Sequence, residues 1–200
     1  MNNKENLLNA AIDLFSKKGY SGVSVRDICG KLALKESALY YHFKNKEDIL
    51  NTIYEKIDEL IQNMQSSFNT AFVKTTEISN TEMCMVAKSF LHGYYCDEYV
   101  SKTLSMLSIE RRSSQIAERM YQKLTYDMPL NHCTKVFALM QEKGIILNVP
   151  PEYLAKEYLC AILFAYDRFA AGSNDREAGI IKACEEVDQQ ISIFYERIKR

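Results

Sequence analysis

Apolar residues recur at steps of three and four along nearly the whole chain, and this period constrains the fold most. In residues 3–18 the repeat is carried by Leu7, Leu8, Ala11, Ile12, Leu14 and Phe15. That spacing is typical of an amphipathic α-helix, and no segment alternates with the two-residue period of a strand. The chain has only seven Gly and three Pro, which favours long helices joined by short connections. We therefore expect an all-α protein.

The same period predicts where the helices lie. Ser24 is an expected N-cap for a short helix that ends near residue 32. Residues 70–81 are polar and are expected to form a loop. Pro129 removes a backbone donor and should kink or divide the helix that contains it. About nine helices are predicted, at roughly 3–18, 25–32, 35–41, 46–68, 82–99, 101–111, 114–143, 151–171 and 174–198.

Charge is distributed unevenly along the chain, whose formal net charge is −1. Residues 1–50 hold eight Lys and Arg against six acidic residues, and residues 26–46 hold five against two. A local basic surface matters more for contact with phosphates than the total charge does. The distribution is compatible with nucleic-acid binding near the N-terminus.

The sequence argues against export and membrane insertion. It lacks an apolar run of the roughly 18–20 residues that cross a bilayer, and its start does not resemble a signal peptide. The six cysteines are widely spaced without a C-x-x-C pair, which indicates reduced thiols. We expect a cytoplasmic protein that does not bind membranes.

Residues 24–48 predict a helix-turn-helix, two short helices joined by a tight turn. The second helix of such a unit enters the major groove of DNA, where its first turn meets base edges. Apolar residues can hold the unit together internally, namely Ile28, Leu32, Leu34, Leu39 and Phe43. The side chains left for the outer face are Arg26, Lys35, Glu36, Ser37, Tyr40, Tyr41, His42, Lys44 and Lys46.

The N-terminal segment resembles the TetR family of transcriptional regulators over residues 4–55. The matching stretches are Ala11–Phe15 (A-x-x-L-F), Lys18–Tyr20 (K-G-Y), Ser24–Ile28 (S-V-R-D-I) and Leu39–Asp48 (L-Y-Y-H-F-K-N-K-E-D). The resemblance implies a three-helix DNA-binding domain at residues 1–47. It further implies a larger helical domain at residues 48–200 for ligand binding and dimerisation.

The resemblance also implies roles for individual residues. Glu36 and Ser37 are expected to contact bases, and Arg26 a guanine edge or a phosphate. Lys35 and the residues Tyr40, Tyr41, His42 and Lys46 are expected to contact the DNA backbone. For Tyr41, packing against the first helix is an alternative.

Two positions depart from the family pattern. Ala33 stands in the turn where the family usually has Gly, and Lys35 stands where a Ser or Thr usually caps the recognition helix. A missing cap costs about 1 kcal/mol, so the recognition helix should be weakly held. Glu36 would also oppose the charge of DNA unless it meets a donor or points away from the DNA.

The middle helices are rich in Met, Tyr and Phe, which adapt to irregular apolar ligands. Most of these side chains should be core, and some should line a pocket for a small, moderately hydrophobic effector. The candidates are Phe90, Tyr94, Tyr95, Met106, Met120, Tyr121, Phe137, Met140 and Tyr166.

The last two predicted helices carry apolar stripes wider than one neighbour would cover. Such stripes belong either to the core of one chain or to a two-fold four-helix bundle between two chains. The resemblance favours a homodimer that places two recognition helices on successive major grooves. The predicted interface consists of Tyr158, Ile162, Phe169, Ile180, Cys184, Val187 and Ile191.

Other classes of function find less support in the sequence. His92 with Cys96, and His132 with Cys133, are fragments of a metal or redox sensor without an identifiable third ligand. No phosphate loop, nucleophile motif or carboxylate pair indicates an enzyme. We therefore expect neither catalytic residues nor a cofactor or metal. The alternatives are a metal- or redox-responsive regulator, or a small-molecule-binding protein that has lost DNA binding.

Overall fold

The structure, a computed structural model, describes residues 3–72 and 75–200. Its α-helices are α1 (Asn3–Lys18), α2 (Val25–Lys31), α3 (Glu36–Tyr40), α4 (Lys46–Phe72), α5 (Asn80–Phe90), α6 (Glu98–Glu110), α7 (Gln115–Gln122), α8 (Met128–Glu142), α9 (Pro151–Ala165) and α10 (Arg176–Ile198). Three π-helical turns occur at Leu91–Tyr95 after α5, Lys123–Asp127 between α7 and α8, and Tyr166–Ala170 after α9. The described residues thus form nine continuous helical segments without a β-strand, which confirms the all-α prediction.

Two of the helix starts follow from local side-chain chemistry. The Ser24 hydroxyl accepts from the Asp27 amide, and the Asp27 carboxylate accepts from the Ser24 amide, which together form a capping box. Asn45 accepts from the Asp48 amide at 2.8 Å at the start of α4. These bonds satisfy amides that a helix leaves unpaired in its first turn.

The region between α4 and α5 differs from the prediction. α4 continues to Phe72, so the predicted loop is wrong for residues 70–72, and residues 73–74 lie outside the described residues. α5 begins at Asn80, two residues earlier than predicted, because Ser79 and Glu82 form another capping box.

The chain divides into two compact units. The first comprises residues 1–62 and 98–123, and the second comprises residues 63–97 and 124–200. This division differs from the boundary predicted after residue 47, because α6 belongs to the first unit together with α1. No helix of the described residues is both long and apolar enough to span a membrane.

In the first unit, α1 packs against α2 and α6. The buried side chains of α1 are Leu7, Leu8, Ala10, Ala11, Ile12 and Phe15. Polar contacts join α1 to α6 at its rim, since the Asp13 carboxylate pairs with Lys102 and the Tyr99 hydroxyl donates to Asn9 at 2.6 Å. α6 therefore packs directly against the first N-terminal helix, in the same compact unit.

In the second unit, α8 packs against α9, and α10 packs against α5 and α9. An aromatic cluster of Phe137, Tyr158 and Phe194 joins α8, α9 and α10, with ring centroids 5.4–6.0 Å apart. Pro129 occupies the first turn of α8, directly after the π-helical turn Lys123–Asp127. The predicted kink or division of a longer helix at Pro129 thus takes the form of a change from π-helical to α-helical structure just before this residue.

Candidate nucleic-acid interface

The second helix of the helix-turn-helix is short and lacks a side-chain cap. α3 spans five residues, and Lys35 at its N-cap position makes no capping hydrogen bond. Leu39 is fully buried and anchors the helix, whereas Lys35, Glu36 and Ser37 are exposed. The predicted base-contacting residues therefore lie together on the outer side of a helix that is held mainly by one leucine.

The turn before this helix contains strained backbone. Ala33 has φ of +54°, in the left-handed region that costs a non-glycine residue about 1–2 kcal/mol. This is the turn position where the family that the sequence resembles usually has Gly. The structure gives the physical reason for that preference.

The aromatic residues Tyr40 and Tyr41 at the end of α3 face outward. Tyr41 is 85% exposed and Tyr40 is 55% exposed. The Tyr41 ring meets His42 edge-on, with centroids 4.8 Å apart. Tyr41 does not contribute to the core, so the alternative of packing against the first helix finds no support.

Arg26 is exposed on α2, whose inner side buries Ile28 and Cys29. Hydrogen bonds from the Ser24 hydroxyl and amide hold the pKa of Asp27 below its usual value. The Asp27 carboxylate therefore takes part in the capping box at the start of α2.

Lys46 is placed differently from the expectation that it contacts the DNA backbone. Its ammonium group donates to the backbone oxygens of Tyr20 at 2.8 Å and Val23 at 2.7 Å, and it lies 4.1 Å from the centre of the Tyr20 ring. Burial lowers the pKa of Lys46, and the nearby carboxylate of Glu110 opposes this shift. Lys46 thus ties the segment between α1 and α2 to the start of α4.

Tyr20 and Glu110 also shape this region, although neither is among the predicted site residues. Tyr20 stacks obliquely on Phe15 at 5.4 Å and supplies both ring and carbonyl to Lys46. Tyr20 lies in the K-G-Y stretch that matches the family pattern, and this match could have indicated that it has a role. Glu110 accepts hydrogen bonds from Ser21, which is 89 positions earlier in the sequence. A local sequence pattern cannot predict such a contact.

The nine predicted pocket residues fall into both compact units. Met106, Met120 and Tyr121 belong to the first unit, and the other six belong to the second. In the second unit, Phe90, Tyr94, Tyr95 and Tyr166 form a continuous aromatic cluster with His132, with centroids 4.9–5.9 Å apart. Phe137 belongs to the separate cluster with Tyr158 and Phe194, and Met140 is buried.

Two buried tyrosines of this cluster use their hydroxyl groups in hydrogen bonds to backbone carbonyls. Tyr94 donates to the Leu124 carbonyl at 2.6 Å, and Tyr95 donates to the Thr125 carbonyl at 2.7 Å. Burial raises the pKa of Tyr95 well above 10. The Thr125 hydroxyl lies buried without a hydrogen-bond partner among the residues that the structure describes.

A surface groove of the second unit has a volume of about 480 Å³. It is lined by Ala138, Gln141, Glu142, Ile146, Asn148, Pro151 and Arg200. None of the nine predicted pocket residues lines this groove.

The predicted dimer interface requires correction. Tyr158, Ile162, Val187 and Ile191 are 0–4% exposed, so they pack inside one chain and cannot contact a partner. Phe169, Ile180 and Cys184 are half-buried. The large apolar side chains of α9 and α10 that are exposed are instead Tyr153, Phe164, Ile181 and Ile193.

The groups considered for a metal or redox sensor are dispersed or buried. Among residues 3–72 and 75–200, no three His, Cys, Asp or Glu side chains are grouped to hold a metal ion. The His132 ring stacks on Phe90 at 5.7 Å. Burial raises the pKa of the Cys133 thiol to about 12, which disfavours the reactive thiolate.

Residues 7–53 match the family model described as bacterial regulatory proteins, tetR family. A curated relative is the negative transcriptional regulator IcaR of the biofilm operon icaADBC from Staphylococcus epidermidis. The two proteins are 37% identical over 71 residues, which are 33% of this chain and 38% of IcaR. The chain therefore matches well under half the length of this relative.

Solved structures resemble the whole chain at low sequence identity. A TetR-family regulator from Mesorhizobium loti has a TM-score of 0.72 at 18% identity and covers 99% of this chain and 97% of its own. The SmeT–triclosan complex has a TM-score of 0.68 at 16% identity, and the match covers 100% of this chain and 93% of SmeT. FadR from Bacillus subtilis in complex with stearoyl-CoA has a TM-score of 0.61 at 17% identity, and the match covers 94% of this chain and 96% of FadR. At this identity the likeness establishes the fold.

Proposed function

We propose that the chain, whose residues 7–53 match the model of the tetR family of bacterial regulatory proteins, is a repressor of transcription released from a palindromic operator by a small, moderately hydrophobic effector. One observation carries the proposal. The helix-turn-helix buries Ile28, Leu39 and Phe43, while its polar and aromatic side chains from Lys35 to Tyr41 stay in solvent. An outer face of this composition suits a DNA groove.

The exposed residues divide into two roles. Glu36 and Ser37 are the candidates for base contacts, since a carboxylate accepts from cytosine and a hydroxyl pairs with either type of group. Arg26, Lys35, Tyr40, Tyr41 and His42 are candidates for contacts that position the domain on the backbone. Lys46 supports this surface from within through Tyr20 and Val23.

A homodimer would present two such surfaces to the two halves of a palindrome. The exposed apolar residues Tyr153 and Phe164 of α9, and Ile181 and Ile193 of α10, are the candidates for its interface. Large apolar side chains on adjacent helices gain most when a partner removes them from water. A second copy of the chain, with the same face, is the partner that symmetry favours.

The effector is inferred from composition and from the neighbouring structures. SmeT has been solved with triclosan and FadR with stearoyl-CoA, and both ligands have large apolar parts. The aromatic cluster around Tyr95, with the unpartnered Thr125 hydroxyl, supplies apolar contact and one polar group. An effector of this kind releases the operator only to the extent that it prefers the other conformation.

Helix α4 is the candidate link between the two functions. It starts at Lys46, next to the DNA-binding helices, and runs without a break to Phe72. Its first part belongs to the first compact unit and the rest to the second. The continuity of this helix is the reason why we propose α4 as the link.

Selection of bound duplexes from a random pool tests the proposal. We expect a palindromic sequence whose binding weakens steeply with salt, because phosphate contacts release counterions. Substituting Tyr40 should weaken binding to all sequences, and substituting Glu36 or Ser37 should relax base preference at particular positions. Enrichment of no duplex would contradict DNA binding and favour a small-molecule-binding protein.

A further inference from the structure

One peptide group in the segment between α1 and α2 is bound by opposite charges at its two ends. The carbonyl of Tyr20 accepts from the Lys46 ammonium at 2.8 Å. The amide of Ser21, in the same peptide group, donates to Oε1 of Glu110 at 2.8 Å. The cation therefore faces the negative end of the peptide dipole and the carboxylate faces its positive end.

The Glu110 carboxylate uses both of its oxygens on Ser21. Oε2 accepts from the Ser21 hydroxyl at 2.9 Å, beside the bond from the amide to Oε1. Hydrogen bonds to an ionised acceptor are stronger than those between neutral groups. Two of them on one residue fix its orientation as well as its position.

Gly19 permits the close approach of Glu110. A Cβ at this position would lie 2.6 Å from Glu110 Oε1 and 3.2 Å from Cγ2 of Ile109. The φ of Gly19 is +74°, which also favours glycine. Gly19, the residue directly after α1, thus also makes room for the end of α6.

The held peptide group is close in sequence to the proposed DNA-binding surface. Ser24, three residues after Ser21, caps α2, which carries Arg26. Lys46, which holds the other end, is the first residue of α4. Rotation of the peptide group would therefore disturb the starts of two helices.

We propose that Glu110 is a positioning residue for DNA binding, acting by its two-point hold on Ser21. This inference rests on the proposed function. It also gives α6 a direct part in operator affinity, since Glu110 is the last residue of that helix.

The test compares Glu110→Ala and Glu110→Gln with the wild type on the duplex that the wild type selects. We expect Glu110→Ala to weaken binding about tenfold, since one charged hydrogen-bonding group typically changes an equilibrium by that order. Glu110→Gln, whose amide oxygen still accepts from Ser21, should recover part of the loss. Glu118→Gln is the matched control, because its carboxylate pairs with Arg111 at 2.8 Å in the same unit.

The change in charge alone would predict that Glu110→Ala binds DNA more tightly, not more weakly. Removing a negative charge from a protein that binds a polyanion should strengthen binding. The positional role further predicts an unchanged slope of affinity against salt, because no phosphate contact is lost. It also predicts faster hydrogen exchange of the Ser21 amide in Glu110→Ala, while the melting temperature stays near that of Glu118→Gln.

The outcomes separate the two proposals. Undiminished or tighter binding by Glu110→Ala, with a wild type that binds normally, overturns the role of Glu110 and leaves the proposed function intact. A weaker affinity that follows only a general loss of folded protein in thermal melts also overturns it. Absence of duplex binding by the wild type overturns the proposed function, and this inference falls with it.

Discussion

The hydroxyl of Tyr95 donates to the backbone oxygen of Thr125 at 2.7 Å, and that oxygen lies four residues before Pro129. In a regular α-helix the oxygen of residue 125 would accept from the amide of residue 129, which proline lacks. Tyr95 therefore supplies the donor that Pro129 removes. Tyr94 donates to the adjacent oxygen of Leu124 at 2.6 Å, so two tyrosine hydroxyls bind neighbouring carbonyl groups of the π-helical turn.

Replacing Tyr95 with Phe should destabilise the protein. The change leaves the buried oxygen of Thr125 without its partner, and an unsatisfied buried polar group costs about 1–3 kcal/mol. Urea titration followed by circular dichroism measures the loss. Tyr153→Phe, at a site 70% exposed, is the matched control and should leave the free energy of unfolding unchanged; an equal effect of both variants would contradict the role of the hydroxyl.

Replacing Ala33 with Gly should stabilise the protein by about 1 kcal/mol, because the left-handed φ of +54° penalises a side chain. The reverse change at Gly172, whose φ is +69° with open space around its Cβ position, should destabilise it by a similar amount. Thermal melts of both variants form a matched pair. Destabilisation by Ala33→Gly would mean that the flexibility it adds to the unfolded chain outweighs the strain.

Replacing Lys46 with Met should cost about 1–3 kcal/mol of stability, because two backbone oxygens lose a charged donor. Operator binding should also weaken as the segment between α1 and α2 loosens. The exposed residue Lys44 provides the control, since Lys44→Met should change stability by less than about 0.5 kcal/mol.

Salt titration of the Lys46→Met variant distinguishes two roles of the lysine. If the ammonium contacts phosphate, the slope of affinity against salt falls by about one. The inward bonds to Tyr20 and Val23 predict that the slope stays constant.

Asp13 should make stability depend on pH in the acid range. Burial raises the pKa of its carboxyl, but hydrogen bonds from Lys102 and from Lys31 at 2.6 Å outweigh burial and bring the pKa below the usual 3.8. A carboxyl with a lowered pKa stabilises the fold above its unfolded pKa, and this stability is lost as the pH falls through the folded value.

Asp13→Asn should therefore be less stable than the wild type near neutral pH, and the difference should shrink as the pH falls below about 4. Thermal melts across this range measure it. Asp167→Asn, at an exposed position, should run parallel to the wild type. A constant difference between Asp13→Asn and the wild type down to the acid limit would refute the assignment.

The exposed face of α9 and α10 predicts the oligomeric state of two variants. Phe164→Glu and Ile193→Glu should each shift a dimer towards monomer, because an interface that buries a lone carboxylate is strongly disfavoured. Light scattering after gel filtration gives the mass. Ile116→Glu, at a residue 78% exposed on α7, should leave the mass unchanged; the same mass for all variants would exclude this face as the interface.

Sequence patterns predicted what depends on near neighbours. The bounds of α1 agree with the 3–18 repeat, and the Ser24 cap is three residues from its partner Asp27. Ala33 and Lys35 were recognised as departures, and the structure gives the first a strained φ and the second no capping bond.

Distant contacts were beyond the reach of these patterns. The inward bonds of Lys46 and the Glu110–Ser21 contact join residues that are more than 20 positions apart. Periodicity also identifies which residues share a helix face, but not what that face meets. For this reason Ile162 and Val187 were assigned to a partner chain although they fill the core.

The three π-helical turns bear on how relatives of this protein are compared. A π-helical turn holds one residue more than an α-helical turn, and each α-helical residue advances about 100° around the axis. A relative that lacks the turn at Leu91–Tyr95 should therefore be one residue shorter there, and an alignment without that gap would superimpose residues from different faces. Single-residue deletions at these turns are consequently the natural way to rotate the following helix segment while keeping its sequence.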